Sequence, residues 1–371
     1  MTRRILVPNL GSTSVKYQLI RMPEERVEDR GKIERLQGPN QYREALGSLV
    51  SRHAAAGLDA IGLKAVHGGP CFRDAHLVTD EVLAALREYV PAAPLHNPIY
   101  IQAIETLREL LPAVPLVAVF ETAFHRTIPE YAAVYGVPRS WRDHLGVRRY
   151  GFHGASHRYM SERVPQVLGR SVPRLISCHL GGSSSICAIR DGASIDTTMG
   201  FSPQSGLENA TRHGDLDPFA VLFAMDRLGR STAEIRADLL AEGGLAGLSG
   251  IAGGDVRDLQ AAASPGARLA LDAFAYQVRK TIGAYAAALG GLDAVAFTGG
   301  IGENSASLRQ ACCAELDFLG LHLDPVRNRD ASGDRLVSPA GSPVAVLALS
   351  TNEELVVARE TCRCLSLPPL P

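Results

Sequence analysis

The sequence predicts an α/β protein made of two duplicated halves, and three observations carry that prediction. Segments that read as strands alternate with segments that read as helices along the chain. Residues 4–20, RILVPNLGSTSVKYQLI, and residues 174–197, RLISCHLGGSSSICAIRDGASIDT, both read as strand, Gly/Ser turn, strand. At 371 residues the chain exceeds what one hydrophobic core usually serves, so two domains are expected.

The elements follow in order. Ile5, Leu6 and Val7 form the first strand, Asn9-Leu-Gly-Ser-Thr-Ser the turn, and Val15-Lys-Tyr-Gln-Leu-Ile the return strand. LDAIGLKAVHGG (58–69) and VPLVAVFETAF (114–124) read as strands that end in polar residues. DEVLAALREYVPAA (80–93), NPIYIQAIETLRELL (97–111) and DPFAVLFAMDRLG (217–229) read as helices from apolar spacing and capping residues. In the second copy His179-Leu-Gly-Gly-Ser-Ser-Ser takes the place of Asn9-Leu-Gly-Ser-Thr-Ser. A third glycine cluster, LDAVAFTGGIGENSASLRQAC (292–312), reads as strand, Gly-Gly-Ile-Gly-Glu-Asn loop, then a helix with Ser305 and Ser307 near its start.

Bulk properties narrow the class. An apolar share of 46% with 21% charged residues is that of a globular protein. A net charge of −1 gives no electrostatic case for nucleic acid or a membrane surface. There is no window of 18 consecutive apolar residues, so no membrane span is expected, and the apolar run in MTRRILVPNLGS is too short for a signal peptide. The seven cysteines lack zinc-ligand spacing and fit a reduced, cytoplasmic setting, with CRC at 362–364 read as incidental.

The turns carry the chemistry. Glycine lets backbone approach a ligand closely, and successive N–H groups and hydroxyls can then cradle phosphate oxygens. Lys16 adds a mobile positive charge just after the first turn. The pattern differs from a P-loop, which needs Gly-x4-Gly-Lys-Ser/Thr ahead of a helix. One Gly/Ser turn is usually only a hairpin; two matched turns plus GGIGEN point to a phosphate ligand. Polar groups at strand ends add to this: Lys64 and His67, His96 and Asn97, Glu121 and His125, His153 and His157, Arg212, Asp215 and Asp217, and Asn352, Glu353 and Glu354. The His153/His157 pair has i, i+4 spacing, but no acidic ligand flanks it, and a structural hydrogen-bonded role outweighs a metal site. As a set these groups suit phosphoryl transfer, which needs positioning, Mg²⁺ and positive donors.

NLGSTSVKY, VHGG, APLHNP, TAFHRTIPEYA, GVRRYGFHGASHRYMSER, SCHLGGSSSICAI, TTMGFSP, GLSGIAGGDVRD, FTGGIGENS and TNEELVVARET together make the chain resemble the acetate and propionate kinase family, in the actin-like sugar-kinase superfamily. The resemblance runs from about residue 4 to residue 361, with a shortened region between roughly 20 and 60. It implies two duplicated actin-like (ribonuclease H-like) domains, residues 1–122 plus 357–371 and residues 123–356, with a nucleotide cleft between them and the last helix packed back on the first domain. It also implies ATP-dependent, Mg²⁺-assisted, reversible phosphorylation of a short carboxylate by direct in-line transfer, in a homodimer. Among the residues, it implies catalytic roles for Arg212, His153, Glu121, Lys64 and Asn9. Nucleotide positions are Ser12, Ser14 and Lys16 in the first turn; His179, Gly181, Gly182 and Ser183 in the second; Asp255, Val256 and Arg257; and Gly299, Gly300, Ile301, Gly302 and Asn304. Asn9 and Glu353 match the Mg²⁺ positions, and Lys64, Val66, Leu95, Phe152 and Pro203 the acyl-substrate positions.

Several positions depart from the family pattern. Lys64 stands for arginine and Glu121 for aspartate. Gly182 replaces an asparagine in the second turn, QSGLENATR replaces the usual segment after Pro203, and Val256 replaces an aromatic. Lysine does not reproduce a planar bidentate arginine, yet the charge signs are kept, and the longer acid could meet the shorter base. Val66 favours acetate as the acid, with propionate next and butyrate less suited. A nucleotide-binding protein without transfer is the non-enzyme alternative. A pyrophosphate donor is disfavoured by the retained GGIGENS and GDVRD.

Overall fold

A computed structural model describes residues 2–11, 14–36, 38–54, 57–262, 264–329 and 333–366. The chain divides into two compact units, residues 1–126, 154–156 and 352–371, and residues 127–153 and 157–351.

The first unit holds β1 (Arg3–Leu10), β2 (Ser14–Met22), β3 (Arg26–Glu34), β4 (Ala60–Ala65), β5 (Ala75–Leu77) and β6 (Leu116–Phe120), in the order β3-β2-β1-β4-β6-β5. The second holds β7 (Arg174–His179), β8 (Ser185–Arg190), β9 (Ala193–Thr197), β10 (Ala294–Thr298), β11 (Arg335–Leu336) and β12 (Ala345–Ala348), in the order β11-β12-β10-β7-β8-β9. Read from opposite ends the two orders are the same. Three antiparallel strands come first, two parallel strands join the first of them, and a short antiparallel strand closes the edge. The second sheet repeats every pairing. The α/β fold of duplicated halves read from the sequence is the one the chain adopts.

Parallel strands run apolar because both faces are covered. β6 and β10 are buried at every residue. In the first unit Ile5, Val7, Ile20, Val117 and Val119 pack against Val357 and Ala358 of the helix Glu353–Ser366. In the second, the helix Pro265–Leu289 lies over β8 and β7, and its Phe274, Val278 and Ile282 join Ile176, Ile186 and Ala188 in one core. Ser264 caps that helix by accepting from the Ala267 N–H, Pro265 supplies its first residue, and Gly290 ends it in the left-handed conformation.

Two sequence expectations need correction. The Gly-Gly-Ile-Gly-Glu-Asn segment is not a loop but a short helix, Gly299–Asn304, starting directly at the end of β10. Its turn is set by Gly299 at φ +77°, where a Cβ would lie 2.6 Å from the Leu180 carbonyl oxygen, and that oxygen accepts from the Ile301 and Gly302 N–H groups. The helix read over 80–93 ends at Glu88, where Tyr89 leaves helical geometry two residues before Pro91.

Candidate active site

In the first unit β1, β4 and β6 are parallel, so their carboxyl ends share one edge of the sheet, where α/β proteins place ligands. Asn9 stands near the end of β1, Lys64 near the end of β4, and Glu121 just beyond β6. The Lys64 Nζ lies 2.9 Å from Glu121 Oε1 and 2.6 Å from Glu353 Oε2. Glu353 opens its helix, where the backbone dipole favours a carboxylate. Burial alone would depress the Lys64 ammonium, but Glu121 and Glu353 outweigh it and hold the group well above 10.5. Burial lifts the Glu121 carboxyl above its ordinary 4.5, Lys64 opposes the rise, and Glu353 adds to it. One ammonium thus serves two carboxylates, Glu121 buried and Glu353 half-buried, and Glu121 Oε2 has no hydrogen-bond partner among the described residues.

Asn9 Nδ2 donates to Glu354 Oε1 at 2.9 Å, leaving its Oδ1 as a ligand oxygen. Asn9 also faces the exposed Lys16 across the β1–β2 ladder. Gly11 N–H donates to the Ser14 carbonyl to close that turn. Ser12, assigned to the same turn, lies outside the described residues. Val66 is buried and Leu95 is 45% exposed in this unit, whereas Phe152 and Pro203 are buried in the second.

The second unit carries the larger share of the predicted residues. Gly181, Gly182, Asp255, Val256, Arg257, Gly300, Ile301 and Asn304 line one cavity of about 560 Å³. His179, Ser183, Gly299 and Gly302 are not among its lining residues. The second turn is anchored from three sides. Leu180 N–H donates to the Thr298 carbonyl, Ala210 N–H to the Gly182 carbonyl, and Ser184 N–H to Asn209 Oδ1 at 2.6 Å. A Cβ at Gly182 would meet nothing within 4 Å, so steric need does not explain its glycine. Arg257 closes on Asp255 in a two-point ion pair, with Nη2 to Oδ2 at 2.6 Å and Nε to Oδ1 at 3.0 Å. The Arg257 guanidinium's hydrogen bonds hold the Asp255 carboxyl below its usual range.

Arg212 is the unusual charge. It is 6% exposed, and Nη1 donates to the Pro203 carbonyl at 2.8 Å. Among the described residues no carboxylate pairs with it, and burial pushes its guanidinium down to about 10, still positive at neutral pH. A buried cation without a counter-charge is costly unless a ligand anion neutralises it.

His153 sits at φ +55°, the left-handed cap of the helix Gly154–Leu168. Such a conformation costs on the order of 1–3 kcal/mol in a non-glycine residue and is held only by its surroundings. Its ring stacks on His179 at 4.3 Å, and its Nδ1 lies 2.8 Å from the Ser185 hydroxyl.

Sequence reasoning gave no role to Gln260 or Asn209, and took Ser185 and Glu354 only as members of the second turn and of the polar set at the strand ends. Gln260 lies one helical turn beyond Val256, lines the cavity, and donates to the Ser305 and Ser307 hydroxyls; its i+4 spacing is the signal that marks it. Asn209 sits inside the departing QSGLENATR segment. Nothing in NEEL separates Glu353 from Glu354; only the helix start decides which carboxylate meets Lys64.

A duplicated sheet pair of this order, with a glycine-walled cavity and an uncompensated buried guanidinium, defines an actin-like phosphotransferase. The sequence profile of the Acetokinase family matches residues 47–359. An acetate kinase from Shouchella clausii is 40% identical over 98% of this chain and 100% of its own length. A propionate kinase from Citrobacter rodentium is 42% identical over 98% of this chain and 97% of its own. The crystal structure of Porphyromonas gingivalis acetate kinase superposes with a TM-score of 0.87 at 36% identity, covering 98% of this chain and 100% of that one. The chain belongs to the acetokinase family, phosphotransferases that use a carboxyl group as acceptor.

Proposed function

We propose that this chain transfers the γ-phosphoryl group of ATP to acetate, giving acetyl phosphate and ADP, reversibly and with Mg²⁺. The observation that carries the proposal is Arg212, a buried guanidinium with no protein counter-charge. A carboxylate and a transferring phosphoryl group are the planar or trigonal anions a guanidinium fork holds best. The 560 Å³ cavity has the size of a nucleotide site and is lined by Gly181 and Gly182 of the second turn and by Gly300 and Ile301.

In the proposed reaction a carboxylate oxygen attacks the γ-phosphorus while the bond to the β-bridging oxygen breaks, and the electron pair leaves with ADP. Arg212 holds the acid and the charge that develops on the phosphoryl oxygens. His153 donates to the same group, and Lys64 keeps a positive charge beside Glu121 and Glu353. Lys16 and the second turn bind phosphates. Val66, a β-branched side chain 6% exposed, limits the acid to few carbons. Mg²⁺ fits the donor set. No cluster of three His, Cys, Asp or Glu stands ready for a metal among the described residues, and Mg²⁺ bound with a nucleotide needs only one or two protein oxygens. Asn9 Oδ1 and Glu353 would supply them. When bound, the ion shields the phosphate charge that otherwise repels the attacking carboxylate.

The deciding assay incubates the protein with ATP, Mg²⁺ and hydroxylamine and measures acyl hydroxamate from formate, acetate, propionate and butyrate separately. The expected ranking is acetate, then propionate, then the others. A propionate maximum reassigns the acid, and no product with any acid despite ATP binding defeats the kinase reading.

The reading includes a cytoplasmic homodimer. None of the seven cysteines forms a disulfide, and no helix of the described residues is long and apolar enough to cross a membrane. The helix Pro218–Leu228 buries none of its residues, yet Phe219, Leu222 and Phe223 recur at i, i+3 and i+4 with exposures of 74, 52 and 64%. A contiguous apolar stripe of this kind marks a protein contact. Light scattering should give a dimer for the natural chain and a monomer for Phe223→Asp; a dimer in both moves the contact elsewhere.

A further inference from the structure

Behind His153 lies a buried chain of hydrogen-bonding groups to which the reaction has so far given no part. His157, fully buried one helical turn further on, places its Nε2 2.7 Å from the Ser185 hydroxyl and its Nδ1 2.9 Å from the Ser177 hydroxyl. The Ser185 oxygen also lies 2.8 Å from His153 Nδ1. Ser177 and Ser185 are both fully buried, one on β7 and one at the start of β8. The order is therefore Ser177, His157, Ser185, His153.

A hydroxyl has one proton to donate. Ser185 faces two ring nitrogens and can donate to only one of them, so when it donates to one ring the other must donate to its oxygen. The direction chosen at Ser177 runs through all four groups. If Ser177 donates to His157 Nδ1, His157 carries its proton on Nε2 and donates to Ser185. Ser185 then donates to His153 Nδ1, and a neutral His153 carries its proton on Nε2. If the chain runs the other way, His153 is protonated on Nδ1, and a neutral ring offers a lone pair from Nε2. That lone pair would face an anionic phosphoryl group unfavourably.

We propose that His157 is a positioning residue that acts through the Ser185 hydroxyl to hold His153 as a neutral imidazole protonated on Nε2, a donor ready for the transferring phosphoryl group. The proposal rests on the reading of His153 as that donor. The partner of one imidazole nitrogen fixes which atom carries the proton at the other, and losing the group that sets a tautomer weakens the chemical step more than substrate binding. The left-handed backbone at His153 serves the same end, because the ring must reach Ser185 from the helix cap while His157 reaches it from the next turn.

Two measurements test this. Long-range proton–nitrogen NMR of histidine-labelled natural protein at neutral pH should show His153 with Nε2 protonated and Nδ1 bare. A His153 protonated on Nδ1, or on both nitrogens, overturns the proposal without any variant having to fold. In kinetics Ser185→Ala should lower kcat by about 10- to 100-fold, with KM for ATP and acetate changed by less than about threefold. Ser185→Thr, which keeps the hydroxyl, should recover most of the loss. An unchanged kcat in Ser185→Ala, or a loss confined to KM, overturns the relay. His153→Ala separates the two levels. If it works at the natural rate, the donor role fails and the relay with it. If it is inactive while Ser185→Ala is not, the donor role stands and the relay alone falls.

Discussion

Arg212→Met should lower acyl hydroxamate formation by on the order of 10²–10³ while leaving ATP binding in the second unit within a few-fold. Methionine keeps apolar volume at a position only 6% exposed, so the substitution removes the charge and the two-point fork without opening a large cavity. Arg212→Lys should not rescue turnover, because an ammonium cannot span a carboxylate and a phosphoryl oxygen in one plane. The fold gives a second readout with the opposite sign. A buried guanidinium without a carboxylate costs stability, so the thermal midpoint of Arg212→Met should stay level or rise. Lost activity with a raised or unchanged midpoint marks a group kept for its ligand. A sharp fall in the midpoint would make Arg212 a structural residue and remove the main support for the carboxylate site.

Lys64→Met should be the most destabilising change at the first site, by about 3–5 kcal/mol at pH 7, measured by urea unfolding against the natural chain. The cause is the pair it leaves behind: Glu121, 5% exposed, and Glu353 would face each other with no cation between them. The pH dependence follows from the sign of the Glu121 shift. Its folded carboxyl already lies above 4.5 with Lys64 present, and losing the ammonium raises it further. A raised carboxyl binds its proton more tightly in the folded state than in the unfolded one. The penalty is therefore full above the raised value and fades as pH falls toward 4.5. A penalty that is flat across this range would show that the two carboxylates do not share the cation. The same geometry bears on Lys64→Arg. The longer glutamate already reaches the shorter lysine, so arginine at 64 alone should not raise turnover, whereas Lys64→Arg combined with Glu121→Asp should retain it. A large gain from Lys64→Arg alone would defeat the idea of compensation.

Much of this was legible in the sequence, for reasons that differ by element. The two strand–turn–strand copies were readable because their apolar runs end in glycine and hydroxyl residues, and the structure repeats the whole strand order around them. β3 was not, because Arg26–Glu34 is an edge strand, mostly exposed, whose charged residues hide any period-two pattern. β5 and β11, of three and two residues, carry too little sequence to give a signal. GGIGEN was read as a loop because its glycines argue against a helix, and only the Leu180 carbonyl explains why a helix forms there. At the site, residue types were visible but partners were not. Lys64 between two glutamates joins β4, the end of β6 and a helix almost three hundred residues further on. Ser185 looked like one more serine in a turn until two histidines were found on it.

The helix Glu353–Ser366 has a consequence for synthesis. It covers the first sheet and brings Glu353 to Lys64, yet it follows every residue of the second unit in the chain. A ribosome making this protein therefore releases β1 to β6 long before the segment that covers Ile5, Val7, Val117 and Val119. The second unit's own closing strand, β12 (Ala345–Ala348), precedes that helix by only a few residues, so both cores wait for segments made at nearly the same time. The first sheet therefore keeps that apolar face uncovered for as long as the whole second unit takes to be made.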